Sequence, residues 1–433
     1  MTASTSLVTP DDHFLSAVNP LATAEQRDLE ARAMRILEMP AVRAGREAMA
    51  QRWKTIAGRN VPEEAWSTFD ELVEEFAFNY VLKAVNGDPN HPRVLGMIYC
   101  PPHEWFGMKV PGSRGSGGDG PDQHYAFFPV DGYANYRVTG RHFEPGAADV
   151  PINLTGNPSF TMTLGILDML QVPIKPDGTF EFTCGPEPAN GRVDHLQTPP
   201  GSTYVFTRDC RADWTEISNA YRVERLDPPV APPWTDEQVA LRASKIMVED
   251  VAPMFWFMRI FDGLEPNTVT PPFGTGGISG LVTQKISFAR LRVADDDAFV
   301  FTMGGGGAAY RDIVLHDYWF RTRPYWKHTS SFNNAQGIPN PDGTTTYVVA
   351  HSDPGVHNWL DPVGLHELLV VHRWQGLPDP PGPEGPASGE GRLVKVADLD
   401  SVLPEGMARV TPEQRKAQLE RRLAEFLLRF RTD

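Results

Sequence analysis

The sequence predicts a mainly β protein with flanking helices, α+β overall, built from two tandem β-sandwich units. Three observations predict it. Residues 176–214 and 341–374 each open on Pro-Asp-Gly-Thr and a strand, cross a Pro/Gly loop to a His and a Pro-Gly or Pro-x-Gly turn, and end in a second strand near an Arg. Such internal similarity points to two related units. Segments such as HYAFFPV, ANYRVTG, FTMTLGI, TFEFTC and TYVFTR are short, aromatic or β-branched, and separated by Gly, Pro, Asn or Asp. That texture belongs to an antiparallel sandwich or barrel. With 433 residues, 38 of them Gly and 40 Pro, the chain exceeds one ordinary core and needs many loops between short strands.

Three helical blocks begin alike. Thr23-Ala-Glu-Gln26, Thr235-Asp-Glu-Gln238 and Thr411-Pro-Glu-Gln414 each place a Thr three residues before a Gln. The Thr oxygen can accept the third amide of the helix while the Gln reaches back, and early acidic residues suit the helix dipole. The first block runs to about Ile56. A second helix after Pro62 spaces Trp66, Phe69, Leu72, Phe76 and Tyr80 three or four apart and stops near Asn86-Gly87. Residues 1–93 thus form an N-terminal helical flank. The first β-unit covers 94–230, and a central helical linker covers 231–275. The second β-unit covers 276–376, residues 377–410 form a Pro/Gly-rich linker, and 411–433 an amphipathic helix. In that last helix Leu419, Leu423, Phe426, Leu427 and Phe430 make an apolar stripe, with Arg415, Lys416, Arg422 and Arg429 mostly away from it. The stripe docks on its own domain or on another copy of the chain, so a homo-oligomer through this helix is one expectation.

Composition excludes several classes. A net charge of −15 argues against nucleic acid or an anionic membrane as partner. No stretch approaches the roughly 18 apolar residues of a membrane span. Cys100, Cys184 and Cys210 support neither a disulfide framework nor a cysteine zinc site. With no signal-like start, the expected location is cytoplasmic. Gly304–Gly307 lacks the Lys-Ser/Thr of a phosphate loop, the 112–120 glycines are no dinucleotide fingerprint, and Ser279 lacks nucleophile-elbow spacing.

Four segments offer chemistry, each with a structural alternative. Arg208-Asp-Cys-Arg-Ala-Asp213-Trp214 ends a strand: Asp209 or Asp213 would be a base and Arg208 or Arg211 would bind an oxyanion, or the run is an ion-paired loop. Residues 316–336 interleave Tyr318, Trp319, Tyr325 and Trp326 with Arg321, Arg323, Lys327 and His328. They would wall a ligand pocket, or form an amphipathic sheet edge. Asn358-Trp359-Leu-Asp361 offers an indole beside an amide for a ring or sugar, or plugs a sandwich end. Histidine clusters late, at His316, His328, His351, His357, His366 and His372. In LHELLVVHRW, alternation puts His366, Leu368, Val370, His372 and Trp374 on one face and Glu367, Leu369, Val371 and Arg373 on the other. His366 and His372 are roughly 20 Å apart along a strand and cannot share a metal. No compact ligand spacing is present, so no metal and no cofactor are expected.

The pattern Ser331-x-Asn333-x-x-Gln336, Asp342-Gly343-Thr344, Pro354-Gly355-x-x-Asn358-Trp359-Leu360 and Arg373 resembles the C-terminal signature of the bacterial domain of unknown function 1214 family. GGDGPDQHYAFFPVDGYANYRVTGR upstream resembles its longer members. The resemblance implies jelly-roll-like sandwiches and an association with breakdown of steroid- or terpenoid-like compounds, and it supplies no catalytic mechanism.

The expectation is a cofactor-independent enzyme, a hydrolase or a lyase/hydratase, acting by acid–base chemistry on a small hydrophobic oxygenated molecule. Asp209 or Asp213 would be base, His328 or His357 acid, and Arg208 or Arg323 would orient an oxygen. Trp319, Tyr325, Trp326, Asn333, Gln336, Asn358 and Trp359 would bind the ligand. The alternative is a non-catalytic carbohydrate- or lipid-binding sandwich protein. The expected place for either site is where the units meet.

Overall fold

The computed structural model describes residues 6–58, 61–115, 117–276, 281, 283–383 and 385–432. It begins with helices α1 (Ala24–Leu37) and α2 (Pro40–Ala57), split where Pro40 opens the second helix, and a 3-10 turn (Glu63–Thr68) leading into α3 (Phe69–Val85). The first unit follows, with β1 (Leu95–Ile98), a small hairpin β2 (His103–Trp105) and β3 (Met108–Val110), β4 (Gln123–Pro129), β5 (Tyr136–Arg141), β6 (Pro151–Thr155), β7 (Thr163–Asp168), β8 (Thr179–Gly185), β9 (His195–Gln197), β10 (Tyr204–Cys210) and β11 (Ala220–Arg225). Helices α4 (Asp236–Glu249) and α5 (Val251–Met258) lead to β12 (Thr268–Val269) and β13 (Phe273–Gly274). The second unit adds β14 (Lys285–Arg292), β15 (Asp297–Gly304), β16 (Tyr310–His316), β17 (Ser331–Asn333), β18 (Thr345–Ala350), β19 (Trp359–Leu360), β20 (Glu367–Gln375) and β21 (Ser388–Lys395), before the last helix α6 (Pro412–Leu427).

The duplication is a duplication of topology. The first unit pairs a sheet β1-β4-β10-β6-β7 with a sheet β11-β5-β8-β9, and the second pairs β12-β14-β20-β16-β17 with β21-β15-β18-β19. From β4 to β11, each strand has its counterpart ten numbers later. Even the parallel pairs match: β8 with β9 and β18 with β19, among otherwise antiparallel ladders. These are two tandem jelly-roll-like sandwiches. The shared Pro-Asp-Gly-Thr has a local cause. Asp177 Oδ1 accepts from the Thr179 amide at 3.0 Å and hydroxyl at 2.7 Å, and Asp342 Oδ1 does the same for Thr344 at 2.9 and 2.7 Å. The intervening Gly178 and Gly343 take φ of 83° and 86°, the left-handed region that glycine occupies without a Cβ clash.

Each sandwich has its own interior. Leu368, Val370 and Trp374 of β20 point into the second one, as the alternation predicts. Leu369 and Val371 on the opposite face join a larger apolar layer formed with α1 to α5 and the outer faces of β4 and β10. The N-terminal helices are therefore the third layer of the molecule rather than a flank. Helix α3 is buried on almost every side from Glu75 to Val85. The Thr caps form as expected, with full capping boxes at Thr235 and Thr411. At α1, Gln26 departs from the box: its side chain donates to Glu30 at 2.8 Å and accepts from the Gly96 amide at 2.7 Å, tying the helix to β1.

Two sequence expectations need correction. The 377–410 stretch holds β21, which pairs with β15 along its whole length, and a 3-10 turn at Val396–Ser401. It completes the second sandwich. Helix α6 docks within the chain, but through its arginines. Arg415, Arg422 and Arg429, seven residues apart, are buried with Phe426 and Phe430, while Leu423 and Leu427 are 37% and 50% exposed. Arg415 bonds Asp353, Arg422 bonds Gln336, Ser331 and the Tyr325 carbonyl, and Arg429 bonds the Pro121 carbonyl. Fixed carbonyl, amide, hydroxyl and carboxylate oxygens accept from these guanidiniums, so their stems can cover apolar surface.

The 112–120 glycine loop is packing. Gly115 has φ of 102°, and a Cβ there would stand 2.0 Å from Phe76 Cε1. Phe76 is buried in the central layer and cannot yield. Gly115→Ala is expected to lower stability by about 2–3 kcal/mol, read as a lower denaturant midpoint with unchanged slope.

Candidate active site: a buried lysine among aromatic rings

Helix α3 reads FAFNYVLKAV along its buried half, apolar except for Asn79 and Lys83. Asn79 donates to the Ser113 carbonyl at 2.9 Å. Lys83 is 0% exposed, and its Nζ has no hydrogen-bond partner among the described residues. Three rings surround it, with centroids 4.6 Å (Phe160), 5.2 Å (Tyr99) and 5.3 Å (Tyr80) from Nζ. Tyr80 lies three residues earlier on the same helical face. Tyr99 follows β1, and Phe160 comes from the β6–β7 loop. Both take left-handed backbone conformations, φ 60° and 58°. For a bulky residue this costs on the order of 1–2 kcal/mol, and such strain gathers at functional sites.

Opposite charge stands one residue away. Asp250, at the α4–α5 junction, accepts from the Tyr80 hydroxyl at 2.7 Å and is also bonded by the Ser159 side chain. Burial pushes the Lys83 ammonium down to about 7, and the Asp250 charge only partly opposes this. Burial raises the Asp250 carboxyl, held back by Lys83, and burial together with Asp250 raises the Tyr80 phenol well above its ordinary range. A large share of Lys83 is therefore free amine near neutrality, available to take a proton. The wall continues through Phe206, stacked 4.4 Å from Phe160, and Tyr204, whose hydroxyl donates to the Lys83 carbonyl at 3.0 Å. Arg208 lies 4.5 Å over the Phe206 ring and bonds Asn153.

Of the residues expected from sequence, Arg208 belongs to this wall, and the others stand elsewhere. Asp209 faces the other side of β10 and accepts from the Asn219 amide at 2.6 Å and the Tyr221 hydroxyl at 3.1 Å, its pKa raised by burial to about 6. Asp213 closes a turn on Thr215 at 2.8 Å. His328 pairs with Asp361 at 2.7 Å, and His357 with Asn358 at 3.1 Å. None of these contacts joins an expected base to an expected acid. Arg323 sits 3.6 Å from Asp317.

The aromatic–basic stretch 316–336 bolts the second unit to the rest. Trp319 is 0% exposed, donates to the Ala65 carbonyl at 2.7 Å and packs on Trp53, Trp66 and Phe69. Tyr325 is buried between Trp214 and Phe426, and Trp326 stacks on Phe426. Asn333 donates to Asp122 of the first unit at 3.0 Å, and Gln336 accepts from Arg422. Asn358 bonds the Ile338 and Thr346 carbonyls at 2.8 and 2.9 Å, and Trp359 bonds the Ala350 carbonyl. Ser279 lies outside the described residues.

Where the units meet there is a polar core. The Tyr310 hydroxyl lies 2.9 Å from Asp122 and 2.7 Å from Asp312, and Arg373 bonds Asp312 at 2.8 Å and the Gly118 carbonyl at 2.7 Å. Burial raises both carboxyls, Asp312 to about 6. Each group is bonded to its neighbours across the seam.

No family model and no curated protein matches the chain. Among solved structures, an uncharacterised protein from Burkholderia cenocepacia is similar over 85% of this chain and 100% of its own, with 22% identity and a TM-score of 0.67, a likeness of fold. A protein from Vibrio parahaemolyticus aligns over 82% of this chain and 100% of its own, with 10% identity and a TM-score of 0.42.

Proposed function

We propose that the protein is a cofactor-independent acid–base enzyme of the lyase or hydratase kind, acting on a small hydrophobic oxygenated molecule at the Lys83 cluster. The observation that carries this reading is the unpartnered Lys83 amine, shifted to about 7 inside a ring of aromatic faces. Lys83 takes a proton from carbon next to a carbonyl. Asp250, bonded by the Tyr80 hydroxyl, supplies the opposite charge that favours the protonated amine. Aromatic walls suit a flat or polycyclic apolar body, in keeping with the steroid- or terpenoid-like class implied by the resemblance of residues 331–373 to the domain of unknown function 1214 signature. No described helix is long and apolar enough to cross a membrane, and three buried unpaired cysteines fit the reducing cytoplasm.

The test is exchange of substrate protons in heavy water. Small hydrophobic ketones and enones are incubated with the protein, and deuterium uptake beside the carbonyl is followed by mass spectrometry. A lysine acting as free amine predicts a rate that rises with pH through about 7 and then levels off. A flat profile, or no exchange across the panel, counts against the reading.

A further inference from the structure

One end of the second sandwich gathers groups that the Lys83 cluster does not use. His351 follows β18, His366 precedes β20, Asp295 lies in the β14–β15 turn, and Glu64 comes from the 3-10 turn ahead of α3. One ligand atom each from Asp295, His351 and His366 lie within 4.8 Å of one another. The two imidazole rings face each other with centroids 4.3 Å apart and planes tilted by 30°.

Each ring is held from behind. His351 Nε2 donates to the Val293 carbonyl at 3.0 Å, which leaves the lone pair on Nδ1. His366 Nδ1 donates to Glu64 Oε1 at 2.8 Å, and Nε2 stands 3.1 Å from Asp295 Oδ1, where it donates when the ring is protonated and offers a lone pair when it is neutral. Glu64 is itself fixed, its other oxygen accepting the His366 and Glu367 amides at 2.8 and 2.9 Å. A proton or a shared metal ion satisfies this 3.1 Å contact with the carboxylate, so a metal ion binds here by displacing the proton. A carbonyl or carboxylate behind each imidazole is how proteins orient histidines toward a metal ion.

We propose that Asp295, His351 and His366 form a divalent transition-metal site, with Glu64 and the Val293 carbonyl as its orienting partners. Two imidazole nitrogens and one carboxylate oxygen suit Zn²⁺, Co²⁺ or Ni²⁺ better than the oxygen-seeking Ca²⁺ or Mg²⁺. The His366 and Asp295 side chains are 47% and 87% exposed, so water completes the coordination. The ion cross-links the β14–β15 turn to the starts and ends of two strands and, through Glu64, to the helical layer. The ligands come from three separate places in the sequence, which is why spacing predicted no metal.

The test is titration of the full-length, chelator-treated protein with Co²⁺, followed by visible absorption and calorimetry. The proposal expects one equivalent bound with ligand-field bands, and a raised melting temperature. His351→Gln and His366→Gln are expected to abolish binding. Glu64→Gln is expected to weaken it about 10- to 100-fold, since it removes only the orienting partner. Should a histidine variant fail to fold by circular dichroism, Asp295→Asn on the exposed turn gives the same reading and is expected to weaken binding. Absence of a one-equivalent site in the wild type, or binding unchanged in folded His351→Gln/His366→Gln or in Asp295→Asn, overturns the proposal.

Discussion

Lys83→Met is expected to abolish proton exchange on a small hydrophobic ketone while making the protein more stable. The two effects have one cause. A displacement of the Lys83 pKa from 10.5 to about 7 corresponds to on the order of 5 kcal/mol of unfavourable burial of the charged form. Cation–π contact with the three rings returns about 0.5–2 kcal/mol each at best. Methionine has nearly the same length, no charge to desolvate, and a thioether that packs well against aromatic edges. A net gain of about 1–3 kcal/mol is expected at neutral pH, together with a loss of about 100-fold or more in exchange rate. A residue kept for packing alone shows no such opposition of stability and activity.

The sign of the pH dependence follows. Between about 7 and 10.5 the unfolded chain holds the Lys83 proton and the folded chain does not. Stability contributed by this site therefore rises with pH across that window and is lowest below about 7. The Lys83→Met variant is expected to lack that rise, so the difference between variant and wild type narrows toward pH 10. Denaturant midpoints measured across the window check it.

Arg114→Ala is expected to be the most damaging single change in the charge network that joins the layers. Arg114 is 1% exposed and bonds Glu75 through Nε and Nη2, at 2.6 to 3.1 Å, with further bonds to Glu71 at 2.8 Å and the Thr322 carbonyl at 3.0 Å. It thereby connects α3 to the second unit. Removing one partner of a buried ion pair costs about 3–5 kcal/mol, because the other charge is left in a poor dielectric. The low end applies, since Arg321 stands 3.9 Å from Glu75 and 2.6 Å from Glu71 and takes up part of the field. Arg114→Met combined with Glu75→Leu is expected to recover much of the loss, as no bare charge then remains. Equal loss in the single and double variants would assign the effect to packing instead.

Much of the scaffold was legible in the sequence because its causes are local. The paired Asp-Gly-Thr turns, the Thr caps and the alternation in LHELLVVHRW each depend on residues within a few positions of one another, and each forms as read except for the Gln26 half of the first cap. Helix α6 was legible as a helix but not in its docking. The arginines at seven-residue spacing are buried because carbonyls at Val356, Tyr325 and Pro121 and the Asp353 carboxylate await them, and no local pattern reveals such partners. β21 was missed because its composition, SGEGRLVK, is that of a loop, and pairing with β15 alone makes it a strand.

The Lys83 cluster was hidden for the same reason. Its rings come from residues 80, 99 and 160, and its carboxylate from 250. A single lysine in a helical run that is otherwise apolar except for Asn79 was the one visible sign. The aromatic–basic stretch 316–336 was chemically louder, yet its rings are spent on the contact between the second unit and the helices. Rings and charges at high density mark an interlayer seam as readily as they mark a pocket.

The most direct measurement is an NMR titration of the Lys83 ε-carbon in protein carrying labelled lysine, assigned with Lys83→Met, alone and with small hydrophobic ketones. The account predicts a midpoint near 7 that moves when a ligand reaches Lys83. A midpoint near the ordinary 10.5, unmoved by every compound, would contradict it.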